Sequence, residues 1–364
     1  VTQRIAVIGA GHLGRIHARL LGQVEGAQLV AIADPVPEAR ALAADQFEVP
    51  IVASHRQLLD KIDAAVIASP TGYHAEIATE LLQAGKHLLV EKPLATTAEE
   101  AYDLVRLAKQ HRVTLQVGHV ERFNPAWTAA SDLLTKPKYI EAVRASRFPG
   151  RCLDVGVVMD LMIHDLDLVL SLTDAPVRDI QASGIALVTD NEDLAEARIS
   201  FECGLVANLK ASRVSPLAAR QMQAYSEQGF AEIDFGGPSV ALVRPDQRLR
   251  DRSFDLEDAT ANPLTFADEL FDSWLPMETP EIQPRNAILD ELHDFVISIR
   301  SGVAPTVTGY AGARAVEVAT EILNAIDLRR WTNNDDLCER GPLATPAESI
   351  QAATRRIHQQ RRAA

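Results

Sequence analysis

Cysteine is scarce in this chain of 364 residues: Cys152, Cys203 and Cys338 are odd in number and far apart. That pattern excludes a disulfide framework and C-x-x-C metal spacing, and leaves reduced packing residues. No uninterrupted apolar run approaches the roughly 20 residues that span a bilayer. The first residues run into a strand-like segment with no signal-peptide pattern, so a soluble, cytoplasmic protein is expected. Positive charge is also in deficit, with 36 Lys and Arg against 50 Asp and Glu and a formal net charge of −14. Without a dense basic stripe, binding by neutralisation of nucleic-acid phosphates is excluded, and an anionic ligand must find local cations. No linker rich in Gly, Ser or Pro and no internal repeat divides the chain.

What is present is ordinary globular composition, 47% hydrophobic and 24% charged, in a length that favours two domains. Strand-like Arg4-Ile5-Ala6-Val7-Ile8 leads into Gly9-Ala10-Gly11-His12-Leu13-Gly14 and then an apolar-periodic helix through Ile16 and Leu20. In such a turn Gly9 permits the tight bend, Gly11 admits a pyrophosphate, and Gly14 allows close helix-strand packing, with helix amides aimed at the phosphates. A second strand, Leu29 to Ala33, ends in Asp34, which lies 20 residues after Gly14. A carboxylate at that separation accepts bonds from ribose hydroxyls and repels a 2′-phosphate, so NAD is expected over NADP. The competing reading is a solvated turn residue before Pro35.

Strands at Ala64–Ala68, Leu88–Val90 and Leu115–Val117 alternate with helices near 74–84 and 98–111, the pattern of a parallel sheet covered on both faces. Ligands bind beyond the carboxyl ends of such strands, which places Ser69, Thr71, Glu91-Lys92-Pro93 and His119 to Asn124 near one crevice. Lys92 would stand over the nicotinamide with Glu91 fixing it; otherwise it is a solvated loop charge. Pro93 is a position where a cis bond is possible.

After residue 121 the periodicity changes to alternation, in Ile140–Ala145, Ala195–Phe201 and Leu205–Ala211, the mark of an antiparallel sheet with one covered face. Residues 244–284 read as polar and irregular, and helices are expected at Ile288–Ile299 and Ala311–Leu328. Between the strands, Val157 to Val169 reads as an apolar helix with Asp160, His164 and Asp167 on one stripe. Capping or a hydrogen-bonded core histidine would also explain these polar groups, and no metal-ligand spacing accompanies them.

The glycine turn, the strand-end Glu91-Lys92-Pro93 after Ala84-Gly85-Lys86-His87, and Asp160/His164 with trailing Asp167 together resemble the glucose-fructose oxidoreductase, inositol dehydrogenase and MocA family. The resemblance covers residues 1 to about 330. It implies an α/β protein with an N-terminal Rossmann domain and a C-terminal α/β domain bearing a large, open, mainly antiparallel sheet. It also implies nicotinamide-dependent oxidation of a sugar or cyclitol hydroxyl, with Lys92, Asp160 and His164 as the active site. Val117-Gly118-His119-Val120-Glu121-Arg122-Phe123-Asn124-Pro125 and Asp160-Leu161-Met162-Ile163-His164-Asp165 look most like members acting on the 3-hydroxyl of UDP-N-acetylglucosamine or its uronic acid. Many relatives carry glycine where this chain has Met162, which is expected to narrow the space near the site.

The domains expected are 1–121 for NAD, 122–330 for substrate and oligomerisation, and a C-terminal extension at 331–364. The expected cofactor contacts are Gly9, Gly11, His12, Leu13, Gly14, Asp34, Ser69, Thr71, His74, Glu91, Lys92 and Asn124. A histidine, with an ordinary pKa of about 6.5, suits His164 as general base, Lys92 would stabilise the developing alkoxide, and Asp160 would orient His164 or bind a neighbouring hydroxyl. A nucleotide-sugar diphosphate would need arginines, and Arg122, Arg147, Arg151 and Arg213 join Asn124, Asp160 and His164 as expected substrate contacts. Each arginine has a solvated-surface alternative. An inositol or free-sugar dehydrogenase and a non-catalytic dinucleotide-binding regulator stand as alternative functions. An open sheet face leads to the expectation of a homodimer or homotetramer.

Overall fold

The computed structural model describes residues 2–148, 150 and 155–328. Arg151, Cys152, Cys338 and the extension at 331–364 lie outside the described residues. The chain forms two compact units, Val1–Thr128 with Ile282–Thr320, and Ala129–Glu281 with the chain from Glu321.

The first unit is built on a parallel sheet ordered Ile51–Val52, Ala27–Ala33, Gln3–Ile8, Ala64–Ile67, His87–Glu91, Leu115–Gly118. Its strands are short and rich in apolar side chains because both faces are covered; Ile5, Val7, Val66 and Leu89 are all inaccessible to solvent. The crossovers are the helices His12–Leu21, Pro37–Ala44, His74–Gln83 and Ala98–His111. The last begins with a capping box: Glu100 N–H donates to Thr97 Oγ1 (3.2 Å), and Thr97 N–H donates to Glu100 Oε2 (3.3 Å). Parallel connection brings Gly9, Asp34, Ser69, Lys92 and His119 to the same edge, just past the ends of their strands.

One boundary differs from the sequence expectation. The helix Ala287–Ser301, assigned by sequence to the substrate domain, belongs to the first unit. Its Leu292, Phe295 and Val296 are buried in the same core as Ile5, Leu21, Val66 and Leu89. Val117 N–H also donates to the Val307 carbonyl (3.1 Å), and Gly309 and Gly312 lie against Leu115 and Val117. Amphipathic periodicity shows that a helix covers something; it does not say which sheet.

The second unit carries an eight-stranded sheet ordered Met277–Glu278, Ser239–Val243, Gly229–Asp234, Ala219–Ser226, Tyr139–Ala145, Val206–Ser212, Leu194–Phe201, Val177–Ile185. Every neighbouring pair is antiparallel except Tyr139–Ala145 with Val206–Ser212. Residues read as irregular hold short helices, Gln247–Asp251, Leu256–Ala259 and Pro263–Glu269, followed by a π-helical turn, Leu270–Trp274. They gather round Trp274, with Phe254 and Phe266 edge-on at 5.0 and 5.5 Å and the Arg248 guanidinium 4.5 Å from the ring centroid. The first two helices start on Asp246 and Asp255, whose carboxylates accept from helix N–H groups, so N-caps resembled loop composition. Among the described residues no helix is long and apolar enough to cross a membrane.

Candidate active site

The glycine turn has the shape a dinucleotide requires. Gly9 has φ +105°, and a Cβ there would sit 2.6 Å from the Ala68 carbonyl oxygen. A Cβ at Gly14 would run into the Gly9 carbonyl, so that glycine is the condition for helix and turn to pack. Gly11 has open space where a Cβ would stand and caps the helix without any side-chain acceptor, leaving the first helix amides to a phosphate. His12 and Leu13 begin that helix on its accessible side. Asp34 is 8% exposed; its Oδ2 accepts from Ala10 N–H (2.7 Å) and its Oδ1 from Val36 N–H (2.8 Å). The carboxylate thus joins the glycine turn to the end of the neighbouring strand. Replacing it by serine is expected to weaken NAD about 10- to 100-fold, as loss of a charged hydrogen-bond acceptor does, and to narrow the preference against NADP. Calorimetric titration of both cofactors checks this, and tighter NADP than NAD in the unsubstituted protein would contradict it.

Farther along the same edge, Ser69 Oγ is buried without a hydrogen-bond partner, and Thr71 is half-buried. These orphaned and open groups fit a bound dinucleotide. His74, 1% exposed, does not project outward: its Nδ1 lies 2.8 Å from the Pro93 carbonyl and its Nε2 2.8 Å from that of Ser69. Burial holds its pKa below the ordinary histidine value, against the two carbonyls and the Glu91 charge, which favour the protonated ring. Lys92 is half-buried and the Lys92–Pro93 bond is cis. Asn124 is turned inward, its Nδ2 donating to Glu121 Oε2 and its Oδ1 accepting from Ala126 N–H, both at 3.0 Å.

Sequence reasoning missed His17 and Glu291. His17 is fully buried, with Nε2 2.7 Å from Glu91 Oε1, and Glu291 is 1% exposed in the same cluster. The only available signal was position: Gly14, His17, Ala18 and Leu21 share the inward stripe of their helix.

In the second unit the stretch Val158–Met162 is π-helical and passes into the α-helix Ile163–Ser171. The wider turn alters the stripe expected from regular helical spacing, and π segments recur at functional sites. Asp160 and His164 are half-buried, whereas Asp165 (3% exposed) and Asp167 (1%) are inside. Asp165 receives both forks of Arg144: Nε to Oδ2 at 3.0 Å, and a terminal nitrogen to Oδ1 at 2.7 Å. Met162 is fully buried, so its bulk is spent in the core; the expectation that it narrows the site is corrected. The start of this helix is fixed by Glu192, whose carbonyl accepts from Val157 N–H (3.0 Å) and whose Oε1 accepts from Val158 N–H (3.1 Å). Burial pushes the Glu192 carboxyl above its ordinary pKa, and a side chain at Gly156 would collide with it.

Arg213, expected to meet a diphosphate, is a structural residue instead. It is 1% exposed and donates to Asp193 Oδ1 (2.7 Å), the Val155 carbonyl (2.8 Å) and Thr189 Oγ1 (2.6 Å). Burial alone would raise the Asp193 carboxyl, but the Val188 and Thr189 N–H donors, Arg213 and Leu187 N–H together hold it below the usual range. Arg147 is exposed, with its Nε donating to the Pro216 carbonyl (3.1 Å), and Arg122 is half-buried.

Comparison with known proteins identifies the class. The chain matches the GFO/IDH/MocA oxidoreductase family with NAD-binding Rossmann fold over residues 3–119, and that family's C-terminal domain over residues 136–232. It is 34% identical over 328 residues to UDP-N-acetylglucosamine 3-dehydrogenase of Acidithiobacillus ferrooxidans, covering 90% of this chain and 98% of that one. A solved structure of the Acidithiobacillus enzyme superposes with a TM-score of 0.78 at 33% identity, over 90% of this chain and 99% of the other. Scyllo-inositol 2-dehydrogenase (NAD(+)) of Bacillus subtilis is 31% identical over 347 residues, 88% of this chain and 93% of that one. The chain belongs to the GFO/IDH/MocA family and is an NAD-dependent dehydrogenase acting on hydroxyl groups.

Proposed function

We propose that this protein oxidises a secondary hydroxyl of a sugar, the 3-hydroxyl of a UDP-N-acetylglucosamine-type nucleotide sugar. The observation that carries the reading is the selective exposure on the helix after Val157: Asp160 and His164 stay accessible while Asp165 and Asp167 are buried. The similarity to the Acidithiobacillus enzyme along nearly its whole length supports the choice of substrate.

An alcohol does not lose its proton at neutral pH without a base and a compensating charge. His164 takes the hydroxyl proton, and Lys92 as an ammonium stabilises the negative charge growing on that oxygen. Asp160 orients the His164 ring or binds the adjacent hydroxyl. Gly9, Gly11, Gly14 and Asp34 hold the cofactor, with Ser69 and Thr71 on the same edge. When bound, NAD supplies the acceptor for the hydride leaving the carbinol carbon.

The reading is tested by comparing kcat/KM for NAD reduction across UDP-N-acetylglucosamine, its uronic acid, free N-acetylglucosamine and inositols. The UDP-sugars are expected to lead; equal efficiency with a free sugar or an inositol would replace this reading with the cyclitol or free-sugar alternative. With Arg213 engaged in the fold, Arg147 and Arg122 are, of the arginines expected at the diphosphate, the two among the described residues to which this reading assigns the contact. Arg147→Ala is expected to raise KM for the nucleotide sugar about 10-fold with KM for NAD unmoved, the loss of one charge-assisted contact. An unchanged sugar KM would remove Arg147 from the site. The accessible sheet face, where Tyr225 stacks on Phe230 at 4.6 Å, is the proposed surface for a homodimer or homotetramer.

A further inference from the structure

The segment Glu91-Lys92-Pro93 is gripped on both sides by buried imidazoles from other elements. On its amino-terminal side His17, from the helix His12–Leu21, lies 2.7 Å from Glu91 Oε1, and neither group is more than 8% exposed. Glu291 closes on the same point: one polar atom from each of His17, Glu91 and Glu291 lies within 4.8 Å of the others. Gly118 makes the room, since a Cβ there would stand 2.9 Å from Glu91 Oε2. On the carboxyl-terminal side, His74 Nδ1 is 2.8 Å from the Pro93 carbonyl, while its Nε2 reaches the end of the neighbouring strand at Ser69. Burying two imidazoles, a carboxylate pair and a carbonyl in this way carries a desolvation cost that apolar packing would avoid.

We infer that His17 and His74 are positioning residues that fix Lys92, one through the side chain before it and the other through the carbonyl after it. The inference rests on reading Lys92 as the ammonium that stabilises the alkoxide. With both neighbours held, the backbone that carries Lys92 is fixed in place, and a misplacement of about 1 Å in such a group costs on the order of 10²-fold in rate. His17 and Glu291 act through Glu91 and are not assigned any contact with substrate.

The test uses the full chain saturated with NAD and the variants His17→Leu, His17→Gln, His74→Leu and His74→Asn. Glutamine places its amide nitrogen near the site of histidine Nε2, and asparagine near that of Nδ1, so these two preserve the relevant donor. The first readout is the rate at which an amine-acylating reagent modifies Lys92, relative to exposed Lys61 and Lys109, measured peptide by peptide by mass spectrometry. Both leucine variants are expected to change the Lys92 rate about three-fold or more, and the amide variants to return it toward the original value. The second readout is kcat with UDP-N-acetylglucosamine at saturating NAD, expected to fall about 10- to 100-fold in the leucine variants, with the Kd for NAD nearly constant in His17→Leu.

Unchanged Lys92 reactivity in the leucine variants, or amide variants no closer to the original than leucine, would overturn the inference in favour of simple packing. If a leucine variant does not fold, Gly118→Ala applies the same test by displacing the Glu91 carboxylate with both histidines intact; an unmoved Lys92 rate there also overturns it. Loss of turnover on chelation, restored by a divalent cation, would make His17, Glu91 and Glu291 a metal site and overturn it too. Lys92→Ala separates the two readings. Normal turnover in that variant refutes the catalytic role of Lys92 whatever the labelling shows, whereas lost turnover beside unchanged labelling refutes the positioning inference alone.

Discussion

Lys92→Ala and His164→Ala are each expected to lower kcat by about 10²-fold or more, the usual cost of losing a general base or a charge that stabilises the reacting oxygen. The two losses should not multiply, because a base and an alkoxide-stabilising cation serve one transition state. Both side chains are half-buried, so neither substitution removes core volume, and the thermal midpoint and NAD affinity should stay near their original values. Steady-state NAD reduction together with a melting curve checks both parts. Near-normal turnover in both variants would move the active site elsewhere in the molecule.

Arg144→Ala is expected to cost about 3–5 kcal/mol in stability, because it leaves the Asp165 carboxylate buried without its fork of donors. The side chains of the pair are 5% and 4% exposed, and an Arg144 terminal nitrogen donates to Asp165 Oδ1 at 2.7 Å. Arg144 lies on the strand Tyr139–Ala145, and Asp165 follows His164 directly, so the pair ties the helix Ile163–Ser171 to its sheet. Replacing both partners by apolar residues should cost less than Arg144→Ala alone, since no charge is then stranded. Urea unfolding measures both. An Arg144→Ala loss within about 1 kcal/mol would show that the pair carries little of the stability.

Much of the first unit was legible because its signals are local. Apolar strands end in Gly9, Asp34 and Lys92, and the spacing between them follows from one strand-helix-strand repeat. Three strands of the second sheet, Tyr139–Ala145, Leu194–Phe201 and Val206–Ser212, were legible from alternation, as in Ile140, Ala142 and Arg144 facing inward, whereas its other five strands were not read. Long-range partnership was not legible. Arg213 has the same chemistry whether it meets a phosphate or Asp193, and only the fold brings Asp193, Thr189 and Val155 around it. Met162 likewise looked like an obstruction until its burial was known. His17 carried no mark in the sequence, since its partners Glu91 and Glu291 lie 74 and 274 positions away. The helix containing Leu292 and Phe295 showed its apolar face but not the sheet it covers.

In the proposed reaction a hydride leaves the carbon bearing the 3-hydroxyl of a UDP-N-acetylglucosamine-type sugar. Incubation of the protein and NAD with UDP-N-acetylglucosamine deuterated at that carbon, followed by mass spectrometry of the nicotinamide product, tests it most directly. Deuterium in the reduced cofactor, a slower turnover than with the unlabelled sugar, and loss of both in His164→Ala are expected. Reduced cofactor free of deuterium, or no reduction with the UDP-sugar alongside rapid reduction with an inositol, would contradict it.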